Sequence, residues 1–239
     1  MVILAHSLQK LPCLPTQLSE FRRSWPLNEA PPYAILSHTW GIEEVTLKDL
    51  EAGDWKDRQD KREGHEKITG CCAAAAAEGF GYAWIDTCCI DKTSSAELSE
   101  AINSMFRWYH ESAICYAYLR DVDSAQDPNS PDSDFSKSRW FTRGWTLQEL
   151  LAPTEIVFLG RDWGEIGTKN TLQGAITKIT RISSAALEDR SFTNYSVAQK
   201  MSWAAGRCTT RPEDEAYCLL GLFDVNMPLL YGEGQGARS

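Results

Sequence analysis

The sequence has no CxxC pair, no G-x-x-x-x-G-K-[ST] loop, no apolar run of membrane length and no excess of basic charge. Each absence removes a class of function. Without CxxC spacing there is no zinc-ribbon or zinc-finger ligand set. Without the glycine-rich loop there is no P-loop to cradle a nucleotide's phosphates. A membrane span needs about 20 consecutive apolar residues, and no stretch approaches that. Lys and Arg number 24 against 33 Asp and Glu, for a net charge of −9. That balance speaks against a nucleic-acid or anionic-membrane surface. Histidine is scarce too, and His6, His65 and His110 share no metal-ligand spacing. Met1–Ala5 is apolar but lacks the basic start and long apolar stretch of a signal peptide. No internal repeat is visible, and Gly160, Gly164 and Gly167 match no nucleotide fingerprint.

What is present builds a core. The chain is 43% hydrophobic and carries nine Trp, so it is not a disordered segment. Its 239 residues suit one large domain, or one domain with a helical extension. The eight cysteines fall as two adjacent pairs, Cys71-Cys72 and Cys88-Cys89, and four singles. That is not a secreted disulfide framework. Cys115 and Cys218 sit in apolar runs and read as small core residues. The expectation is a reduced, cytoplasmic protein.

Residues 1–32 hold five prolines and no clean period, and read as an irregular lead-in. Short apolar strands are expected at 33–37, 82–86, 113–119 and 155–159. Between them, the alanine run after Lys67 favours a helix closed by Gly79 and Gly81. Ser94 with Glu97 fits a capping box that opens a helix to about His110. The Asp-, Ser- and Pro-rich stretch 120–138 reads as a solvated loop. From Arg161 no strand is clear, and helices are expected at 172–179, 198–207 and 213–223. The alternation implies an α/β fold, a mostly parallel sheet flanked by helices, with a C-terminal helical extension.

In such sheets ligands bind beyond the carboxyl ends of the strands. Those ends carry Ser37, His38 and Trp40, then Asp86, Cys88 and Cys89, then Asp121. Ser138–Pro153, SRWFTRGWTLQELLAP, follows the third strand. As a helix it puts Leu147, Leu150 and Leu151 on one apolar stripe and Trp145, Gln148 and Glu149 on the opposite side. A Trp one turn from a carboxylate suits the rim of a pocket. The plain alternative is a core-packing helix with a solvated Glu149.

Five stretches together resemble the fungal heterokaryon-incompatibility (HET) domain. They are YAILSHTWG at 33–41, WIDTCCIDK at 84–92, LSEAINSMFRWYHESAICYAYLRDV at 98–122, RWFTRGWTLQELLAP at 139–153, and MSWAAGRCTTRPEDEAYCLLGLFDVNMPLLYGEG at 201–234. The chain stops at Gly236-Ala237-Arg238-Ser239, where a further helix is expected, which suggests a fragment or truncated copy. The irregular lead-in at 1–32 does not look like the family's usual one; the resemblance covers about Tyr33 to Gly234 and implies a TIR-like α/β core at 33–171 and a helical, truncated part at 172–239. It also implies a trigger of programmed cell death when unlike fungal cells fuse, self-association, and a nucleotide-switch receptor or other incompatibility partner.

A weaker likeness is to the Toll/interleukin-1 receptor (TIR) domain. Plant-type TIR domains carry S-x-W-C-L-x-E-L after the third strand, whose Glu is the catalytic residue for NAD cleavage. Residues 143–150 keep the Trp, Leu, Glu and Leu but place Arg143 and Thr146 where that pattern has Ser and Cys. The likeness therefore implies Glu149 as the catalytic residue, with NAD as substrate and no resident cofactor. Around such a site Trp145 suits stacking on a flat base and Arg143 a phosphate. Ser37, His38, Trp40 and Asp86 are candidates for the remaining substrate contacts. Each has an ordinary alternative: a surface charge, a core ring, a turn residue. A Cys–His pair of Cys88 or Cys89 with His38 is a further candidate. The competing class is a non-enzymatic, self-associating signalling module.

Overall fold

The computed structural model describes residues 11–12, 30–53, 55, 58–130, 132–189 and 192–232. The remaining parts of the lead-in and the last seven residues, including the 236–239 end, lie outside the described residues. Two compact units are present: Met1–Leu36 with Trp40–Ala101, and Ser37–Thr39 with Ile102–Ser239. The central strand supplies residues to both.

Six strands form one sheet in the order β1-β3-β2-β4-β5-β6. They are β1 (Leu11–Pro12), β2 (Ala34–His38), β3 (Tyr82–Trp84), β4 (Ile114–Tyr118), β5 (Ile156–Leu159) and β6 (Glu165–Thr168). β2 runs parallel to β3, with Ala34 opposite Ala83, and β4 runs parallel to β5, with Cys115 opposite Ile156. β1 and β6 flank them antiparallel. The fold is α/β with a mostly parallel sheet, as the alternation of strands and helices implied. Every residue of β2 and β4 is buried, the mark of strands covered on both faces.

Four sequence readings are corrected. β6 was missed because Glu165-Ile166-Gly167-Thr168 is an exposed edge segment with no apolar alternation. Leu11–Pro12 pairs with β3, inside a lead-in that reads as irregular. The second strand ends at Trp84, and Asp86 instead opens the short helix α3 (Asp86–Cys89). The loop 120–138 contains α5 (Asp134–Lys137), whose Phe135 is buried.

In the first unit α1 (Leu47–Ala52) is capped by a reciprocal pair, Thr46 and Asp49. α2 (Arg62–Ala77) buries Ile68, Cys71 and Ala75 on one side. Its Lys67, also buried, pairs with Glu44 and, at 3.6 Å, with Glu63. α4 (Ser95–Glu111) starts where Ser94 Oγ accepts from Glu97 N, and the Glu97 carboxylate accepts from Asp91 N.

The second unit is centred on aromatic rings. Phe135, Trp140, Phe141 and Phe158 pack edge-on at centroid distances of 5.1–5.6 Å, and all four are buried. Burial of each ring contributes about 1.5–3 kcal/mol, and the edge-to-face geometry fixes their orientation. α6 (Thr146–Leu151) follows this cluster. Beyond β6 come α7 (Gln173–Thr180), α8 (Ser184–Glu188), α9 (Val197–Ala204) and α10 (Asp214–Tyr217), close to the helical pattern the sequence carries.

Candidate functional site

All six residues of α6 are buried, and Glu149 is only 8% exposed. This overturns the amphipathic reading, in which Trp145, Gln148 and Glu149 occupied an open side. The helix is covered all round because β2 and the C-terminal segment of the same unit both supply partners to it. A solvated Glu149 is thereby removed as the plain alternative.

The partner from β2 is Ser37, itself fully buried. The indole Nε1 of Trp140, set by the aromatic cluster, donates to Ser37 Oγ at 2.7 Å. Ser37 Oγ in turn donates a short hydrogen bond to Glu149 Oε2. With one proton on the hydroxyl and its lone pair engaged by Trp140, the direction of the relay is defined: Trp140 to Ser37 to Glu149. Trp140 was not singled out from the sequence, although it lies within the SRWFTRGW stretch. His38, next along β2, is buried as well.

The C-terminal segment supplies Arg207. Its Nη1 donates to the Arg143 carbonyl at 2.9 Å and to Thr146 Oγ1 at 2.8 Å. Thr146 Oγ1 in turn donates a hydrogen bond to the Trp140 carbonyl at 2.5 Å. Burial pulls the Arg207 guanidinium down to about 10, against the opposing pull of Cys218 and Glu149 nearby. It therefore stays cationic at neutral pH. Gly144 is what allows this approach. A Cβ there would lie 2.5 Å from Thr209 Cγ2 and 3.2 Å from Cys218 Sγ. The Cys218 thiol is pushed up to about 12, by burial first and then by Asp214.

Trp145 and Arg143 each have a side-chain partner other than Glu149. Trp145 lends a hydrogen bond to Asp214, whose second partner is the Tyr231 hydroxyl at 2.9 Å. Burial raises the Asp214 carboxyl above its ordinary value despite those bonds. Arg143 Nη2 donates to Thr210 Oγ1 at 2.9 Å, and its backbone bridges Cys208.

The first unit brings together Trp40 and Asp86. Trp40 Nε1 donates to Asp86 Oδ2 at 2.8 Å, and Lys92 Nζ stands 3.5 Å over the Trp40 ring. Burial lowers the Lys92 ammonium, with Asp86 opposing. Trp40 is still 49% exposed, so the ring offers an open surface. Cys88 beside it is a poor nucleophile: its hydrogen bond with Cys89, together with burial, raises the thiol well above the usual range.

The fold and the second unit's site define an α/β parallel-sheet domain with a buried carboxylate held at the end of a strand. Residues 33–132 match the family model described as "Heterokaryon incompatibility protein (HET)". The chain carries a HET domain. It is also 49% identical, over 218 residues, to the Podospora anserina vegetative incompatibility protein HET-E-1. That match covers 88% of this chain and 16% of the relative, so the chain spans about one sixth of that protein's length. No solved structure matches. Among the described residues no helix is long and apolar enough to cross a membrane.

Proposed function

We propose that this chain is an effector of fungal heterokaryon incompatibility and programmed cell death that acts by NAD glycohydrolysis, in a TIR-like manner, with Glu149 as its catalytic residue. The HET-domain match and the likeness to HET-E-1 support the incompatibility role. The observation that carries the chemistry is the buried Glu149 carboxylate, oriented by Ser37 and, through it, by Trp140.

Hydrolysis of NAD breaks the bond between ribose C1′ and the nicotinamide nitrogen. The bonding pair leaves with the pyridinium, which becomes neutral nicotinamide, and positive charge grows on the ribose. A fixed carboxylate in a low-dielectric setting stabilises that oxocarbenium-like charge. Water then adds to C1′ and releases a proton. NAD is the substrate here, with no resident cofactor required. Ser37 holds the carboxylate so that little reorganisation is needed as charge develops, and His38, Trp145 and Arg143 of the same unit are the candidates for substrate contacts.

The test is nicotinamide release by purified protein. Glu149→Gln keeps the shape and an acceptor for Ser37 but removes the charge, and the rate should fall about 10²–10³-fold. A folded Glu149→Gln protein that consumes NAD at the wild-type rate removes Glu149 from the mechanism.

A second reading, a self-associating module with no turnover, draws on a different observation. Val197 and Met201, one turn apart on α9, are 66% and 49% exposed. Clustering the protein by fusion to an oligomeriser separates the two. The enzyme loses NAD faster when clustered, whereas the module kills cells with NAD intact.

A further inference from the structure

Arg207 carries more donors than its surroundings use. Nη1 serves the Arg143 carbonyl and Thr146 Oγ1, and Nε lies 3.4 Å from the Trp203 carbonyl. Nη2 is buried and meets no acceptor, and no carboxylate of the described residues forms an ion pair with this guanidinium. A buried donor left without an acceptor is unfavourable, and more so when it is charged. The fork also lies within electrostatic reach of Glu149, whose charge opposes the effect of burial on Arg207. A planar guanidinium with one edge committed and the other without an acceptor suits an oxyanion.

We infer that Arg207 is the anion-binding arm of the Glu149 site and that its Nη2 takes a phosphate oxygen of a dinucleotide's diphosphate. The substrate identity rests on the glycohydrolase reading; the preference for an anion rests only on the Nη2 edge that lacks an acceptor. Arg207 then has two jobs that separate by atom. Nη1 braces the start of α6, and Nη2 selects ligands that bear phosphate over those that do not.

The experiment compares NAD with nicotinamide riboside, which has the same scissile bond and no phosphate. Arg207→Lys keeps the charge and a donor for the α6 brace but loses the second edge. Its ratio of kcat/KM for NAD to kcat/KM for the riboside should fall roughly tenfold or more, the loss expected for one charge-assisted hydrogen bond. A merely structural brace lowers both substrates together and leaves the ratio unchanged, and that result in a folded variant overturns the inference. In a second arm, pyrophosphate should raise the melting temperature of wild type but not of Arg207→Gln. If wild type releases nicotinamide from neither substrate, glycohydrolysis is lost as a reading and the pyrophosphate arm alone decides. Equal stabilisation of both proteins, or of neither, then overturns the anion site.

Discussion

Ser37→Ala is the substitution that most directly probes the relay. It removes a single oxygen from a fully buried position, yet that oxygen serves two partners. Trp140 Nε1 is left as a buried donor without its acceptor, which costs about 1–3 kcal/mol. Glu149 loses a hydrogen bond to a charged group, worth about 1.5–3 kcal/mol, softened by the other interactions this carboxylate makes. The combined loss should be about 2–4 kcal/mol. For a chain of this size each kcal/mol shifts Tm by about 2–4 °C, so a fall of roughly 4–16 °C is expected. Urea titration should show the same loss as a lower midpoint with an unchanged slope. Trp140→Phe closes a double-mutant cycle, because with the indole donor gone Ser37 has only one partner left to lose. The coupling should exceed about 0.5 kcal/mol, the limit within which independent sites add. Strict additivity, or a Ser37→Ala protein within about 0.5 kcal/mol of wild type, refutes the relay.

Other outcomes follow from the same neighbourhood. Gly144→Ala should destabilise by about 1–3 kcal/mol through overpacking against Thr209 and Cys218, read by urea titration, and an unchanged midpoint would show that the approach is not tight. Asp214 and Asp49 should respond to pH with opposite signs. Burial raises the Asp214 carboxyl, so the stability linked to its protonated form is lost as pH rises through the raised value; wild type should gain on Asp214→Asn as pH falls from 7 toward 3.8. At Asp49 burial works to raise the carboxyl, but the Thr46 hydrogen bonds and Lys61 outweigh it and hold the group below 3.8. Its stabilising contribution is present above 3.8 and lost as pH falls through the depressed value, so the advantage of wild type over Asp49→Asn should vanish only in that more acid range. Melting curves of the three proteins across pH check both signs.

The sheet was legible because buried parallel strands leave continuous apolar runs. YAILS, YAWID, AICYAYL and EIVFL each stand out against their flanks, and each gave a strand to within a few residues. β6 left no such run because an edge strand facing solvent buries little, so Glu165–Thr168 looks like any loop. Asp86 was placed correctly after a strand but was not recognised as the first residue of a helical turn. A four-residue helix such as α3 is too short to show a period.

The site was legible only where its residues share a local stretch. Periodicity separates Leu147, Leu150 and Leu151 from Trp145 and Glu149, and from that separation alone an open polar face follows. It is wrong here because a period reports how residues differ around a helix, not whether a second layer covers the polar side. What covers it comes from far along the chain: Ser37 lies 112 residues before Glu149, and Arg207 lies 61 after Thr146. Gly144 is the local trace of that distant contact. A side chain at this position would strike Thr209 and Cys218. The glycine thus marks where the C-terminal segment packs onto the start of α6 and carries Arg207 to the carboxylate. Substituting it should move Arg207 as well as cost stability. Gly144→Ala is therefore expected to lower the NAD-to-riboside preference in the same direction as Arg207→Lys. A Gly144→Ala protein that is destabilised yet keeps the full preference would show that the two elements meet without setting the site.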